Sequence, residues 1–279
     1  MDVTRRTDEQ AARWSGSSGH AWVEAQAVLD ELLRPYENLL VDAVSAERGG
    51  RVLDVGCGTG STTLAVARRL GPEGHCVGID ISEPMITAAR ARVEREGTRA
   101  SFIHADAQEH PFEPAIFDTV VSRFGVMFFS DSVRAFANLR RAVRDGGELR
   151  CIAWRGPAEN PFMTTAECAA APFLPNLPAR LPDQPGQFAF ADRDRVHRIL
   201  EESGWTGIDI RPIDVECVLP ESELVPYFTR LGPVGQVLPE VDEQTRAQVV
   251  ETVRAAFDPF VHGTEVRFTG ACWFVGAQA

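Results

Sequence analysis

Positive charge is in short supply in this sequence: 28 basic residues stand against 40 acidic ones, leaving a net charge of -12. Nucleic-acid binding draws much of its affinity from Lys and Arg side chains that neutralise phosphates, so a DNA or RNA partner is disfavoured. Long apolar runs are missing too. No stretch reaches membrane-spanning length, and the polar start from Met1 to Arg13 has no apolar core of a signal peptide, so neither a membrane partner nor export is expected. Cysteine is sparse and scattered, at Cys57, Cys76, Cys151, Cys168, Cys217 and Cys272. No Cys-x-x-Cys pair and no His-rich spacing of a zinc site occurs, so no metal is expected. Most of these cysteines sit in apolar, strand-like contexts and read as buried reduced thiols of a cytoplasmic protein.

What the chain does have is apolar material, 44% of its 279 residues, enough for one elaborated domain or two small ones. It also has one dense motif. Val52-Leu53-Asp54-Val55 reads as a short strand running into Gly56-Cys57-Gly58-Thr59-Gly60, and Ser61-Thr62-Thr63 then opens a helix. Glycines at alternate positions let the backbone turn tightly and approach a ligand closely. About twenty residues on, Val77-Gly78-Ile79-Asp80 ends a second strand in a carboxylate, which can accept hydrogen bonds from two ribose hydroxyls. A dinucleotide fingerprint wants Gly-x-Gly-x-x-Gly with the pyrophosphate at the helix N-terminus. Ser61 stands where its third glycine belongs, which disfavours a nicotinamide-dependent oxidoreductase, kept as one alternative. Asp54 just before the glycines suits a ligand that carries an ammonium and no pyrophosphate.

At this point the sequence resembles the class I S-adenosylmethionine-dependent methyltransferases, and the resemblance extends over residues 50 to 154. Val52 to Gly60 is similar to the family's first motif. Asp80-Ile81-Ser82-Glu83-Pro84-Met85 resembles its ribose-binding acid followed by a helix whose early residues pack on adenine, with Ser82 a natural N-cap. His104-Ala105-Asp106-Ala107-Gln108 resembles the third motif, in which an acid and the next backbone amide read the adenine. Phe117 to Gly125 resembles the fourth strand, whose end lies under the reacting sulfonium, and Asp145-Gly146-Gly147-Glu148-Leu149 the turn into the fifth. The resemblance implies a Rossmann-like α/β fold: a seven-stranded, mostly parallel sheet with an antiparallel last strand. It implies S-adenosylmethionine as cofactor and S-adenosylhomocysteine as product. The cofactor contacts it implies are Asp54, Gly56, Cys57, Gly58, Thr59, Gly60, Asp80, Ile81, Met85, Asp106, Ala107, Ser122 and Phe124. Ser122 to Phe129 further resembles the small-molecule branch that includes quinone, sterol and natural-product methyltransferases.

The organisation outside that core is uneven. Residues 1–49 carry Trp14 and Trp22, then a helical pattern of Val28, Leu32, Leu39, Leu40 and Val44 interrupted by Pro35. This segment is either a lid over the cofactor or a helix packed on the sheet edge. Residues 50–154 alternate strand and helix, as a parallel sheet with crossover helices requires. Gly71-Pro72 and Gly97 mark the ends of the first two helices. Residues 155–219 begin with a proline-rich stretch, too broken for one long helix, and then give a helix from Asp192 to Ser203 and a strand from Ile208 to Leu219. Residues 220–263 show helical patterns at Leu224 to Leu231 and Thr245 to Phe257, which reads as a helical insertion before a final strand within 264–279.

The implied reaction is an in-line displacement on the S-methyl carbon, in which the protein aligns donor and acceptor and excludes water. No general base stands out among His20, His104, His110, His197 and His262. His20, in the lid segment, is the better candidate, while His104 reads as a strand residue beside the adenine motif. Arg123 could meet an anionic substrate group or form a structural ion pair. Cys57 reads as a backbone contact rather than a nucleophile. Aromatics around the mouth, such as Phe162, Phe188, Tyr227 and Phe257, favour a small hydrophobic or aromatic acceptor, with secondary metabolism as the expected setting. A non-catalytic protein that keeps the fold as a binding scaffold remains the second alternative. Oligomeric state is not legible.

Overall fold

A computed structural model describes residues 10–45, 49–180 and 184–279. Helices α1 (Ser17–Glu24) and α2 (Gln26–Ala43) precede the sheet. The core then alternates β1 (Arg51–Val55), α3 (Ser61–Leu70), β2 (His75–Asp80), α4 (Glu83–Glu96), β3 (Ala100–His104), β4 (Phe117–Arg123), α5 (Ser132–Ala142) and β5 (Val143–Trp154). Helix α6 (Pro161–Ala170), α7 (Arg193–Glu202) and β6 (Thr206–Pro220) follow. Helices α8 (Leu224–Arg230), α9 (Gly232–Val237) and α10 (Glu243–Ala256) lead to the two-residue strand β7 (Val261–His262) and to β8 (Glu265–Gln278).

The strands form one sheet in the order β3-β2-β1-β4-β5-β8-β6, with β7 a short hairpin partner of β8. From β3 to β5 the neighbours are parallel. The antiparallel strand is β8, which inserts between β5 and β6 and runs against both. The chain reverses its order beside β1, so the crevice at the C-terminal ends of β1 and β4 is the topological switch point where such sheets bind ligands. Val52, Leu53 and Val55 are all buried, as a parallel strand covered on both faces must be.

Local signals set the helix ends. Gly60 holds φ +87° before α3, Gly71 φ +73° ends it, and Gly97 φ +64° ends α4, conformations that glycine adopts without a Cβ penalty. The Ser82 hydroxyl accepts from the Met85 amide, and the Asp192 and Asp242 carboxylates cap α7 and α10.

Three expectations need correction. Pro35 does not interrupt its helix: α2 runs through it, because Leu32, Leu33, Tyr36 and Leu40 bury the same face on both sides. Leu39 does not share that face and is 38% exposed. Asp145-Gly146-Gly147 lies not ahead of the fifth strand but inside it, at a register shift where Phe117 pairs with Val143 and Thr119 with Glu148.

Candidate active site

The glycine loop is held from beneath. The Gly56 and Cys57 amides donate to the Ile79 carbonyl at 2.9 and 3.2 Å, and the Gly58 amide to Asp80 Oδ2 at 2.8 Å. Asp80 Oδ1 accepts the Ser82 amide at 2.9 Å. Both carboxylate oxygens are thus fixed by backbone, and each retains a further lone pair towards the cavity that Asp80 lines. Burial pushes the Asp80 carboxyl above its ordinary range, while the Ser82 and Gly58 amides pull it back.

Close backbone approach fixes the loop against β4. A Cβ on Gly56 would lie 2.5 Å from Gly125 Cα, and one on Gly125 would lie 2.5 Å from the Val55 carbonyl. A Cβ on Gly58 would meet only Met85 Sδ, at 3.6 Å, so that position opens onto the cavity. Phe124, immediately after β4, holds φ +63°, a conformation costly for a residue with a side chain. Its ring is stacked on Trp154 at 4.4 Å and edge-on to Tyr36 at 5.0 Å. Tyr36 is anchored in turn by its hydroxyl, which donates to the Gly270 carbonyl at 3.2 Å.

The cavity over these strand ends holds about 740 Å³, within the range of small-molecule sites. Gly56, Cys57, Gly58, Thr59, Asp80, Ile81, Met85, Asp106, Ala107, Arg123 and Phe124 all line it, which brings together most of the residues singled out from sequence. Asp106 Oδ1 accepts the Gln108 amide at 2.8 Å, and burial raises its carboxyl. Burial, then the charges of Asp80 and Asp54, push the Cys57 thiol well up, leaving it protonated and unsuited to nucleophilic attack.

Five sequence candidates lie behind or outside the wall. The Asp54 carboxylate is 1% exposed and accepts the Thr63 hydroxyl at 2.6 Å, so it braces the start of α3 instead of facing the cavity. Gly60 packs against Phe102, whose Cζ would be 2.7 Å from an added Cβ. The Ser122 hydroxyl donates to the Val55 carbonyl and accepts the Gly125 amide, tying β4 to β1. His20 is exposed, its Nδ1 donating to the Gly16 carbonyl 3.0 Å away. His104 is also exposed, its Nε2 donating to the Ile81 carbonyl at 3.0 Å.

Arg123 lines the cavity and is also paired: Nη1 lies 3.7 Å from Glu37, whose carboxylate accepts the Ser61 hydroxyl as well. Burial lowers its pKa, against the opposing pull of Glu37. Trp14 and Trp22 both line the cavity with rings 5.9 Å apart, and the Trp14 carbonyl accepts the Ser82 hydroxyl at 2.6 Å. Sequence reasoning does not single out Glu37, Gly125, Arg13, Glu167 or Arg180 as site residues. Only Gly125 carried a signal, a glycine at the end of a strand beside the glycine loop.

Residues 52–147 match the family model of a methyltransferase domain. Demethylmenaquinone methyltransferase of Staphylococcus aureus is 28% identical over 176 residues, covering 60% of this chain and 73% of that protein. The solved structure of the YcgJ protein from Bacillus subtilis superimposes with a TM-score of 0.57 at 15% identity, over 88% of this chain and 98% of that one. Haemonchus contortus phosphoethanolamine N-methyltransferase 2, in complex with S-adenosyl-L-methionine, gives 0.55 at 18% identity, over 88% of this chain and 52% of that one. The sheet order, the glycine loop and these matches together define a class I S-adenosylmethionine-dependent methyltransferase of small-molecule type. The chain is such an enzyme and S-adenosylmethionine is its cofactor, which removes the nicotinamide alternative.

Proposed function

We propose that this enzyme methylates a small, hydrophobic or aromatic acceptor, in secondary metabolism. The observation that carries the reading is the cavity, which continues from the glycine loop to an apolar compartment walled by Phe162, Phe188, Tyr227, Phe228, Leu231 and Phe257. Most pockets of this kind are apolar with a few polar anchors, and Asp80, Asp106 and Arg123 supply such anchors at the strand ends.

The residues at those strand ends suit the cofactor. In this reading the open Gly58 position leaves room for the cofactor's amino-acid end, Asp80 faces the ribose and Asp106 the adenine. When bound, S-adenosylmethionine supplies an already activated methyl group, so the chain's own work is placement and exclusion of water. Phe124, held rigid by Trp154 and Tyr36, shapes the end of the cavity where donor and acceptor meet. Asp54, Ser122 and Gly60 act as positioning residues that hold α3, β1 and β4 in register beneath the loop. Arg123 completes the wall while fastening α2 to it through Glu37.

The Staphylococcus aureus relative acts, by its name, on demethylmenaquinone. A quinone-type aromatic therefore heads the acceptor panel. The test supplies methyl-labelled S-adenosylmethionine with hydrophobic aromatic acceptors, polar amines and bulk nucleic acid, then follows label into solvent-extractable product. Label in the hydrophobic fraction is expected. Label confined to the polar or macromolecular fractions would overturn the acceptor class, and S-adenosylhomocysteine binding with no transfer to any acceptor would favour a binding scaffold.

A further inference from the structure

The apolar compartment is built outwards from the sheet by packed rings. Phe268 on β8 lies face to face with Phe162 on α6, their centroids 3.7 Å apart. Phe162 in turn contacts Phe257 at 5.0 Å and Tyr227, on α8, at 5.8 Å. Leu224 and Phe228 are buried and anchor α8. A tyrosine side chain has only two torsions to fix, so this packing places the Tyr227 hydroxyl at little further entropic cost.

That hydroxyl is poorly served. Phe162, Met163 and Tyr227 all line the cavity, and among the described residues the hydroxyl's one partner is the Met163 thioether, with Sδ 3.8 Å away. Thioether sulfur is a weak acceptor, whereas a tyrosine hydroxyl out of bulk water usually finds a better one. Glu167, one turn further along α6, would be such an acceptor, but its carboxylate is taken by Arg180, whose Nε donates to Oε2 at 2.8 Å. Burial pushes the Tyr227 phenol up to about 12, so it keeps its proton and acts as a donor.

An apolar molecule that fills the compartment excludes water from this donor. Unless the molecule brings a lone pair of its own, the hydroxyl is left to sulfur, and sites with such a donor discriminate against analogues that lack the matching group. We propose that Tyr227 selects the acceptor, its hydroxyl donating a hydrogen bond to a carbonyl or hydroxyl oxygen on an otherwise apolar molecule. This deepens the methyl-transfer reading and rests on it. Phe162, Phe228 and Phe257 receive the hydrocarbon body, the hydroxyl turns from Met163 to the incoming oxygen, and the acceptor is thereby held in one orientation relative to the strand ends. Pure hydrocarbons fit the rings but forgo that bond.

The test compares acetylnaphthalene with isopropenylnaphthalene, probes of matching shape in which an oxygen is exchanged for a methylene. Their affinities are measured by equilibrium dialysis against the full-length enzyme saturated with S-adenosylhomocysteine. Tyr227→Phe, which removes the hydroxyl alone, should lower the ketone-to-alkene affinity ratio about tenfold, the scale of one hydrogen bond. The loss should fall on the ketone, while the alkene binds at least as well as before, a result that an unfolded variant cannot mimic. A second measurement needs no variant: the carbonyl stretch of the ketone bound to the unaltered enzyme should lie at lower frequency than in a hydrocarbon solvent. A ratio that survives Tyr227→Phe, or a hydrocarbon-like carbonyl frequency in the unaltered enzyme, would overturn the proposal. Failure of both probes to bind an enzyme that still binds S-adenosylhomocysteine would strike the hydrophobic-acceptor reading, and the proposal with it. Loss of S-adenosylhomocysteine binding in the unaltered enzyme would instead strike the methyl-transfer reading.

Discussion

Among single residues, Asp80 and the loop glycines separate what the cofactor needs from what the fold needs. Asp80→Ala should weaken S-adenosylhomocysteine by about 1.5–3 kcal/mol in calorimetry, the cost of hydrogen bonds to a charged group. An unchanged dissociation constant would remove Asp80 from the site. Gly56→Ala and Gly58→Ala should part company. Both positions have positive φ, but only at Gly56 does the added Cβ collide with backbone, 2.5 Å from Gly125 Cα. Gly56→Ala should therefore lower the unfolding midpoint by the equivalent of about 1–3 kcal/mol, the usual cost of overpacking. Gly58→Ala should lose cofactor affinity with a smaller thermal penalty. Asp54 gives a third contrast. Burial pushes its carboxyl up to about 6, against the Thr63 hydroxyl and Arg123. In the unfolded chain it titrates near 3.9, so between about pH 4 and 6 the folded state binds more protons, and stability falls as pH rises. Asp80 and Asp106 shift in the same direction and add to that slope. Asp54→Asn keeps an acceptor for Thr63 and should flatten the slope, read from denaturant midpoints across that interval. An unaltered slope would contradict the assignment.

Elements from Arg51 to Trp154 are legible in the sequence because each announces itself locally. Apolar strand runs, the Ser82 cap, and Gly71 and Gly97 in left-handed conformations place β1, α3, β2 and α4 without tertiary information. The same holds for the residues at strand ends, since position at a C-terminal end follows from the strand itself. Side-chain direction does not follow. Asp54 and Asp80 look alike in sequence, yet one turns inward to Thr63 and the other lines the cavity. Arg13, Glu167 and Arg180 are illegible for another reason: they converge only through tertiary folding, from segments with no periodic signal. Pro35 shows tertiary burial overriding a local rule. A proline in a helix interior costs about 3 kcal/mol against alanine. Pro35→Ala should therefore raise the denaturant midpoint of the enzyme. A lowered midpoint would mean that Pro35 is required to set the Leu33 carbonyl and Glu37 against Arg123, where they now lie at 3.4 and 3.7 Å.

For the whole molecule, the additions to the shared sheet are what distinguish this enzyme from its fold, and they meet over the cavity. The N-terminal segment reaches the cofactor end, where the Ser15 hydroxyl donates to the Ile81 carbonyl and the Ser82 hydroxyl donates to the Trp14 carbonyl. It reaches the insertion as well, where Gln236 Nε2 donates to the Ser18 hydroxyl at 3.2 Å. Trp14 therefore leans on the Asp80 loop on one side and edge-on against Phe128 at 5.2 Å on the other. We propose that residues 1–30 and 220–263 act as lids; of the first, residues 1–9 lie outside the described structure. Hydrogen exchange with and without S-adenosylhomocysteine tests this. Slowed exchange is expected first in residues 10–30, whose hydrogen bonds end on Ile81 and Ser82 beside Asp80. Residues 220–263 should follow only when an acceptor probe is added, because α8 and α9 line the cavity beside Phe162 and Phe257. If protection appears at Gly56 to Gly60 and Asp80 while both segments exchange as before, they are fixed walls, and access to the cavity must run through the proline-rich stretch between Trp154 and Phe188.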